Sequence, residues 1–370
     1  MTPLAMSRSA RPGDCGFTLV EIMVGMVIGM LGLIIMMQVF SLSESQKLST
    51  TGGGDALSNG MIALYGLQRD IRQAGYGASD PSLLGCNLLL RAGVTLNTMA
   101  PVTIDHPSIT GQDANTDTLL IIYGNPNNSP QGVGITTQPA SAGGAVSPDI
   151  YAVATPSAFT PGNQVVATPL NRATPCNLSM TGVASVGVGA PSNVIVTAGT
   201  GVAGMSSGNL FNLGSAPKVL AYAIRSGNLT VCDYLVNDCG NAANNSNTSI
   251  WVPISSNIVS IKAEYGRDTS APMDAIVDVF NTTAPATACD YARISSIGIA
   301  IVARNANFEK AAVTSAAPSW QGDTSNNGAA TLANNINLSA ITNWQNYRYS
   351  VLQTIVPMRN LVWQGAVSGC

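Results

Sequence analysis

The chain has 370 residues, with 16 basic against 19 acidic, a formal net charge of −3 and a single histidine; 46% of residues are hydrophobic and only 9% charged. That balance argues against nucleic-acid binding, which needs clustered Lys and Arg. It leaves solubility to Ser, Thr, Asn and Gly, a surface style of secreted β-rich proteins.

Residues 1–16 are short and polar, carry Arg8 and Arg11, and contain no apolar core of their own. A standard secretory signal places its apolar stretch before the cut. Here the apolar stretch, Phe17 to Phe40, follows Gly16 and would stay in the mature protein. Its 24 residues make a helix of about 36 Å, enough to span a ~30 Å hydrocarbon core. Gly25, Gly29 and Gly32 lie along it, and glycines let membrane helices approach closely. Its only charge is Glu21. A carboxylate there is costly in lipid and needs a partner; the chain supplies none nearby, which points to another subunit. Without residues 1–16 the net charge becomes −4, because Arg8, Arg11 and Asp14 leave with them.

Residues 41–76 stay compatible with a helix, interrupted by Gly52-Gly53-Gly54. Each glycine weakens a helix by about 1 kcal/mol relative to alanine, so the triplet predicts a soft point. Leu57, Met61, Leu64, Leu67, Ile71 and Ala74 recur at helical spacing and predict a face that packs on a sheet. Arg69, Asp70 and Arg72 fall largely outside that stripe and read as a surface helix pair. Gly75 and Gly77 end the helix.

From residue 77 the signals are mostly β. Residues 118–123, 150–155, 164–168 and 193–197 are short β-branched runs between turns. Residues 218–225 and 229–236 flank Ser226-Gly227-Asn228 and predict a hairpin. Residues 258–265, 294–303 and 347–356 are the strongest strands. Both faces of 294–303 are uncharged, so it reads as a central strand. Residues 124–149 and 237–249 read as loops. The head, 77–370, has 294 residues, which allows one expanded domain or two lobes divided near 215. The fold class is therefore α+β: a long N-terminal helix on an antiparallel, sheet-rich domain.

Six cysteines follow the leader: Cys86, Cys176, Cys232, Cys239, Cys289 and Cys370. An even number in an exported domain favours disulfides. Cys232 and Cys239 bracket a short loop and make the easiest pair, and Cys370 would tie down the C-terminus. No C-x-x-C spacing supports a metal centre. Asp113-Ala114-Asn115-Thr116-Asp117 has the alternating oxygens of half a calcium loop but lacks its glycine and distal Glu; a polar turn is the preferred reading. Asp105-His106 stands in a turn-like context with no triad around it, so neither an enzyme nor a cofactor or metal is expected. Arg348 and Arg359, in or beside the last strand, read either as pairing with Asp70 or Asp268 or as a solvated edge.

Gly16, Phe17, Thr18, Leu19, Val20 and Glu21 together resemble the class III leader and N-terminal helix of type IV pilins and pseudopilins. The resemblance implies cleavage after Gly16 by prepilin peptidase, N-methylation of Phe17, and attraction of a neighbouring subunit's N-terminal amine by Glu21. Four later segments look like PilW-type minor pilins. They are Leu67 to Tyr76 with Arg69, Asp70, Arg72 and Gly75; Tyr265-Gly266-Arg267-Asp268; Ile297 to Arg304; and Tyr347-Arg348-Tyr349 leading to Arg359-Asn360. The resemblance implies a low-abundance subunit that joins other minor pilins and the major pilin on the assembly platform of the inner membrane. It implies a periplasmic head before assembly and an extracellular place in the pilus afterwards, at or near the tip. The same residues are compatible with a minor pseudopilin of type II secretion or with a tip adhesin.

Overall fold

The computed structural model describes residues 18–125, 130–140, 144–187, 193–322, 334–362, 367 and 370. The expected processing site at Gly16 and Phe17 lies outside the described residues. The chain forms two compact units, residues 1–51 and 52–370.

Helix α1 spans Leu19–Gln73. Leu19–Glu44 is apolar, exposed and long enough to cross a membrane. The helical assignment continues through Gly52-Gly53-Gly54. Within the second unit, α1 buries the later part of the stripe its sequence suggests but departs from it at the start. Ala56, Ala63, Leu67, Ile71 and Ala74 are buried, whereas Leu57 and Met61 are exposed. The reason is close approach. A Cβ on Gly60 would stand 3.2 Å from the Ala303 methyl and 2.5 Å from Leu352 Cδ1. Around Gly60 the helix lies on the sheet through small residues, so Leu57 and Met61 point away there, whereas Leu67 and Ile71 further along are fully buried.

Two sheets receive α1. One has five strands in the order β13-β12-β11-β4-β3, formed by β3 (Val102–Ile104), β4 (Leu119–Tyr123), β11 (Lys218–Arg225), β12 (Asn228–Asp233) and β13 (Val252–Ser256). The other has four, β15-β14-β16-β19, formed by β14 (Ile258–Arg267), β15 (Val279–Asn281), β16 (Ile294–Arg304) and β19 (Tyr349–Pro357). Strand β16 is central and buried over its first ten residues. The β11–β12 hairpin turns through Ser226 and Gly227, both at positive φ (51° and 69°), the geometry of a two-residue type I′ turn.

Between β4 and β11 the chain builds a barrel. Its strands are β5 (Val133–Thr137), β6 (Ile150–Val153), β7 (Gln164–Thr168), β8 (Asn177–Val186), β9 (Asn193–Val196) and β10 (Asn209–Gly214). They run β8-β7-β10-β5-β6-β9, and β9 pairs back with β8 to close the ring. Ile135, Tyr151, Val165, Val194 and Leu210 fill it. Strand β5 lies inside the segment expected to be a loop, because a glycine-rich run gives no period-2 signal. Strands β1 (Asn87–Arg91) and β2 (Val94–Leu96) extend the ring's sheet along β8. A small pair, β17 (Ser319–Trp320) and β18 (Asn334–Asn335), lies near the C-terminal end.

Residues 52–370 do not divide into lobes near 215. Strands β3 and β4 from before that point share a sheet with β11–β13 from after it, and Val166, Met180 and Phe211 of the barrel pack with Leu120, Ile122 and Val219 of the head sheet in one core. Disulfides join Cys86–Cys176, Cys232–Cys239 and Cys289–Cys370. The first bridges the parallel pair β1–β8 at its start, and the third anchors the last residue to helix α2 (Ala288–Ala292). Each restricts the unfolded chain.

Candidate assembly site

In the first unit, Glu21 is exposed. Its Oε2 accepts 3.0 Å hydrogen bonds from the Thr18 amide and hydroxyl, and its own amide donates to Thr18 Oγ1 at 3.2 Å. This reciprocal pattern is a capping box. The sequence expectation that Glu21 has no partner nearby is corrected in that respect. Thr18-x-x-Glu21 is the signature of such a box, and it was readable in the sequence. The donors are neutral, however, and no cation pairs with Glu21 among the described residues.

In the second unit, the residues expected to matter near the C-terminal end of α1 gather around that end. Asp70 is not a surface residue: its exposure is 0%. It accepts from the Tyr222 hydroxyl of β11, from the Tyr123 hydroxyl of β4 at 3.3 Å and from Arg69 Nε at 2.9 Å. Burial, together with the Asp70 charge, pushes both tyrosines far above their ordinary pKa, so they remain donors. Arg72 is exposed in the last turn. Gly75 has φ +80°, and a Cβ there would lie 3.1 Å from Pro101; its amide donates to Ile122 O of β4. The helix is thus stopped and tied to the sheet at one residue.

The C-terminal segment returns to the same place. Asn360, in helix α3 (Arg359–Val362), donates from Nδ2 to Gln73 O at 3.1 Å and Ala74 O at 3.0 Å. These are carbonyls that a helix end leaves open. Asn360→Ala is expected to lower the head's stability by about 1 kcal/mol, read as a lower midpoint in thermal unfolding with unchanged circular dichroism.

The other motif residues are structural locks. Tyr265 is fully buried and its hydroxyl accepts from Ile104 N at 2.7 Å, joining the two sheets. A Cβ on Gly266 would stand 2.7 Å from the Phe280 ring. Asp268 is buried and accepts from the amides of Ser270, Asp274 and Ala275 and from the Ser270 hydroxyl. Burial acts to raise its pKa; the Ser270 hydroxyl and these amides outweigh that and hold the carboxyl below its ordinary range. The Arg304 guanidinium lies 4.3 Å over the Tyr347 ring. Arg348 pairs with Glu309 at 2.7 Å, and Arg359 is exposed. Of the two readings open for these arginines, pairing with Asp70 or Asp268 is not found among the described residues: neighbouring tyrosines and loop amides surround both carboxylates.

The Asp113–Asp117 segment is likewise committed. Asp113 accepts from the Ser226 and Gly227 amides, and Asp117 pairs with Lys262 at 2.6 Å. Among the described residues, no group of three or more His, Cys, Asp or Glu side chains is placed to hold a metal ion.

His106 is 1% exposed and its Nδ1 accepts from Ser108 N at 3.2 Å. Burial pushes its pKa down to about 4. The unfolded chain takes up this proton near pH 6.5 and the folded chain only near 4, so its contribution is intact above pH 6.5 and lost as pH falls to 4. The span corresponds to about 3 kcal/mol. In urea unfolding at pH 7 and pH 4.5, His106→Asn is expected to show a smaller loss between the two pH values than the parent.

Residues 221–360 match the family model described as type IV pilus-assembly protein W. Residues 11–37 match the prokaryotic N-terminal methylation motif. Together the matches span less than half of the chain, and most of the barrel's strands lie outside both. No curated protein matches the chain, and no solved structure does.

Proposed function

We propose that this PilW-type minor pilin takes part in priming and assembling the type IV pilus and is carried at or near the fibre tip. The supporting observation is a juxtaposition within one chain. A methylation motif leads into an exposed apolar helix of membrane length, and a PilW segment supplies the four-stranded sheet against which Gly60 of α1 lies close. The pilin is a structural component, and its apolar helix and methylation motif point to membrane anchoring. In this reading prepilin peptidase cuts after Gly16, Phe17 is methylated, and Glu21 meets a charged terminus of another subunit. The head faces the periplasm until other minor pilins and the major pilin assemble with it on the inner-membrane platform.

A clean deletion is expected to lower surface piliation severalfold while major pilin synthesis stays constant. Unchanged fibre counts reject the priming role. Mass analysis of the mature N-terminus should find methylated Phe17; a chain that retains residues 1–16 rejects the processing step.

The barrel favours a second reading, a tip adhesin, because it is a closed module largely beyond the family match. Purified head that fails to bind cells or surfaces removes that reading and leaves the first intact.

A further inference from the structure

Every sheet edge in the described head is blunted except one. The edge strands β2, β3 and β15 are three residues long. Edge strand β13 carries Pro253, and the barrel closes its own edge. Short strands, prolines and closure are the ordinary ways in which proteins guard unpaired main chain. Strand β19 has none of them. It is nine residues long, YSVLQTIVP, with no charge and no proline before its last position. It pairs with β16 on one side in unbroken register from Ser296↔Pro357 to Arg304↔Tyr349. Beyond its other side no strand follows among the described residues.

The direction of its main chain can be read from its two ends. Asn305 N donates to Arg348 O, and Met358 N donates to Ser295 O. In an antiparallel ladder hydrogen-bonded and non-bonded pairs alternate. Ser350, Leu352, Thr354 and Val356 therefore bond to β16, and Tyr349, Val351, Gln353 and Ile355 present their amide and carbonyl groups outward. Pro357, which has no amide proton, falls on the outward set, as an open edge permits. Gln353 and Ile355 are exposed. Beside them lies a cavity of about 360 Å³ whose lining includes Phe280, Trp320, Gln353 and Ile355.

We infer that β19 is a docking edge for an extended segment of another pilin subunit, which adds antiparallel or parallel to it as a further strand and seats an apolar side chain in the cavity beside Trp320 and Phe280. The occupant is a strand because only main chain matches a row of outward amides and carbonyls. It is apolar at alternate positions because Phe280, Ile299, Trp320 and Ile355 offer an apolar surface in the cavity wall, beside the polar Glu264, Gln321, Gln353 and Thr354. It is another pilin subunit because the chain is a pilin; in this the inference rests on the reading above.

The test uses the full chain in its host, with a photo-crosslinking residue at Ile355. The expected adduct joins it to a second chain with a methylated pilin N-terminus, identified by mass spectrometry. Gln353→Pro removes one outward amide and leaves the β16 bonds in place. It should reduce the adduct about tenfold, the worth of roughly 1.4 kcal/mol, with the head's melting temperature within a few degrees of the parent. A lysine variant, Gln353→Lys, which installs the missing edge charge at an exposed position, should also reduce it. If the proline variant melts much lower, the lysine variant decides alone. No adduct, an adduct only to a second copy, or an adduct that survives both substitutions overturns the inference. Fibre content is scored separately. An adduct that forms in cells whose fibres lack the protein upholds the docking edge and rejects the assembly role.

Discussion

Glu21→Ala is expected to leave cleavage after Gly16 intact and to reduce the protein's content in sheared fibres about a hundredfold relative to the membrane pool. In a low-dielectric setting, removing one member of an ion pair costs about 3–5 kcal/mol, because the other charge is left buried, and about 3 kcal/mol corresponds to two orders of magnitude. The structure adds a complication, since Glu21 also closes a capping box with Thr18, and a lost cap is worth about 1 kcal/mol. Glu21→Gln separates the two. Its amide oxygen can still accept from Thr18, but it carries no charge. If Glu21→Gln enters fibres as well as the parent does, helix capping is the role and charge pairing is wrong. Substituting Gly16 should give a different phenotype, an uncleaved precursor held in the membrane.

The second large effect belongs to Asp70. Asp70→Ala is expected to destabilise the head by about 3–5 kcal/mol, because two tyrosine hydroxyls lose hydrogen bonds to a charged, buried acceptor, each worth about 1.5–3 kcal/mol. The Tyr222 and Tyr123 hydroxyls would then lose their shared acceptor, and burying an unsatisfied hydroxyl is itself costly. Asp70→Asn keeps an acceptor of the same shape and should lose less. Urea midpoints with a constant slope would report this order. Equal losses for the two variants would mean that charge matters there and that a neutral acceptor of the same shape does not replace it. Arg69 contributes little to the difference: its side chain is largely exposed, and exposed pairs are weak.

Sequence by itself determined the features set by local pattern. The apolar run with one acid, the Thr18-Glu21 spacing, the turn at Ser226-Gly227 and the apolar central strand all depend on neighbours within a few positions. Tertiary structure decided what depends on closure over long stretches of chain. Cys86 meets Cys176 across 90 residues. Asp70 becomes buried because tyrosines 53 and 152 residues away turn towards it. The barrel closes through a β8–β9 contact that no strand announces alone. Helix α1 shows the division within a single element. Its 3.6-residue period was legible in sequence, and so was the burial of Leu67, Ile71 and Ala74, but the exposure of Leu57 and Met61 was not. Large residues mark an apolar face, yet where Gly60 brings the helix close to the sheet the small Ala56 and Ala63 take the inward positions, a preference that exists only once the sheet is there to meet it.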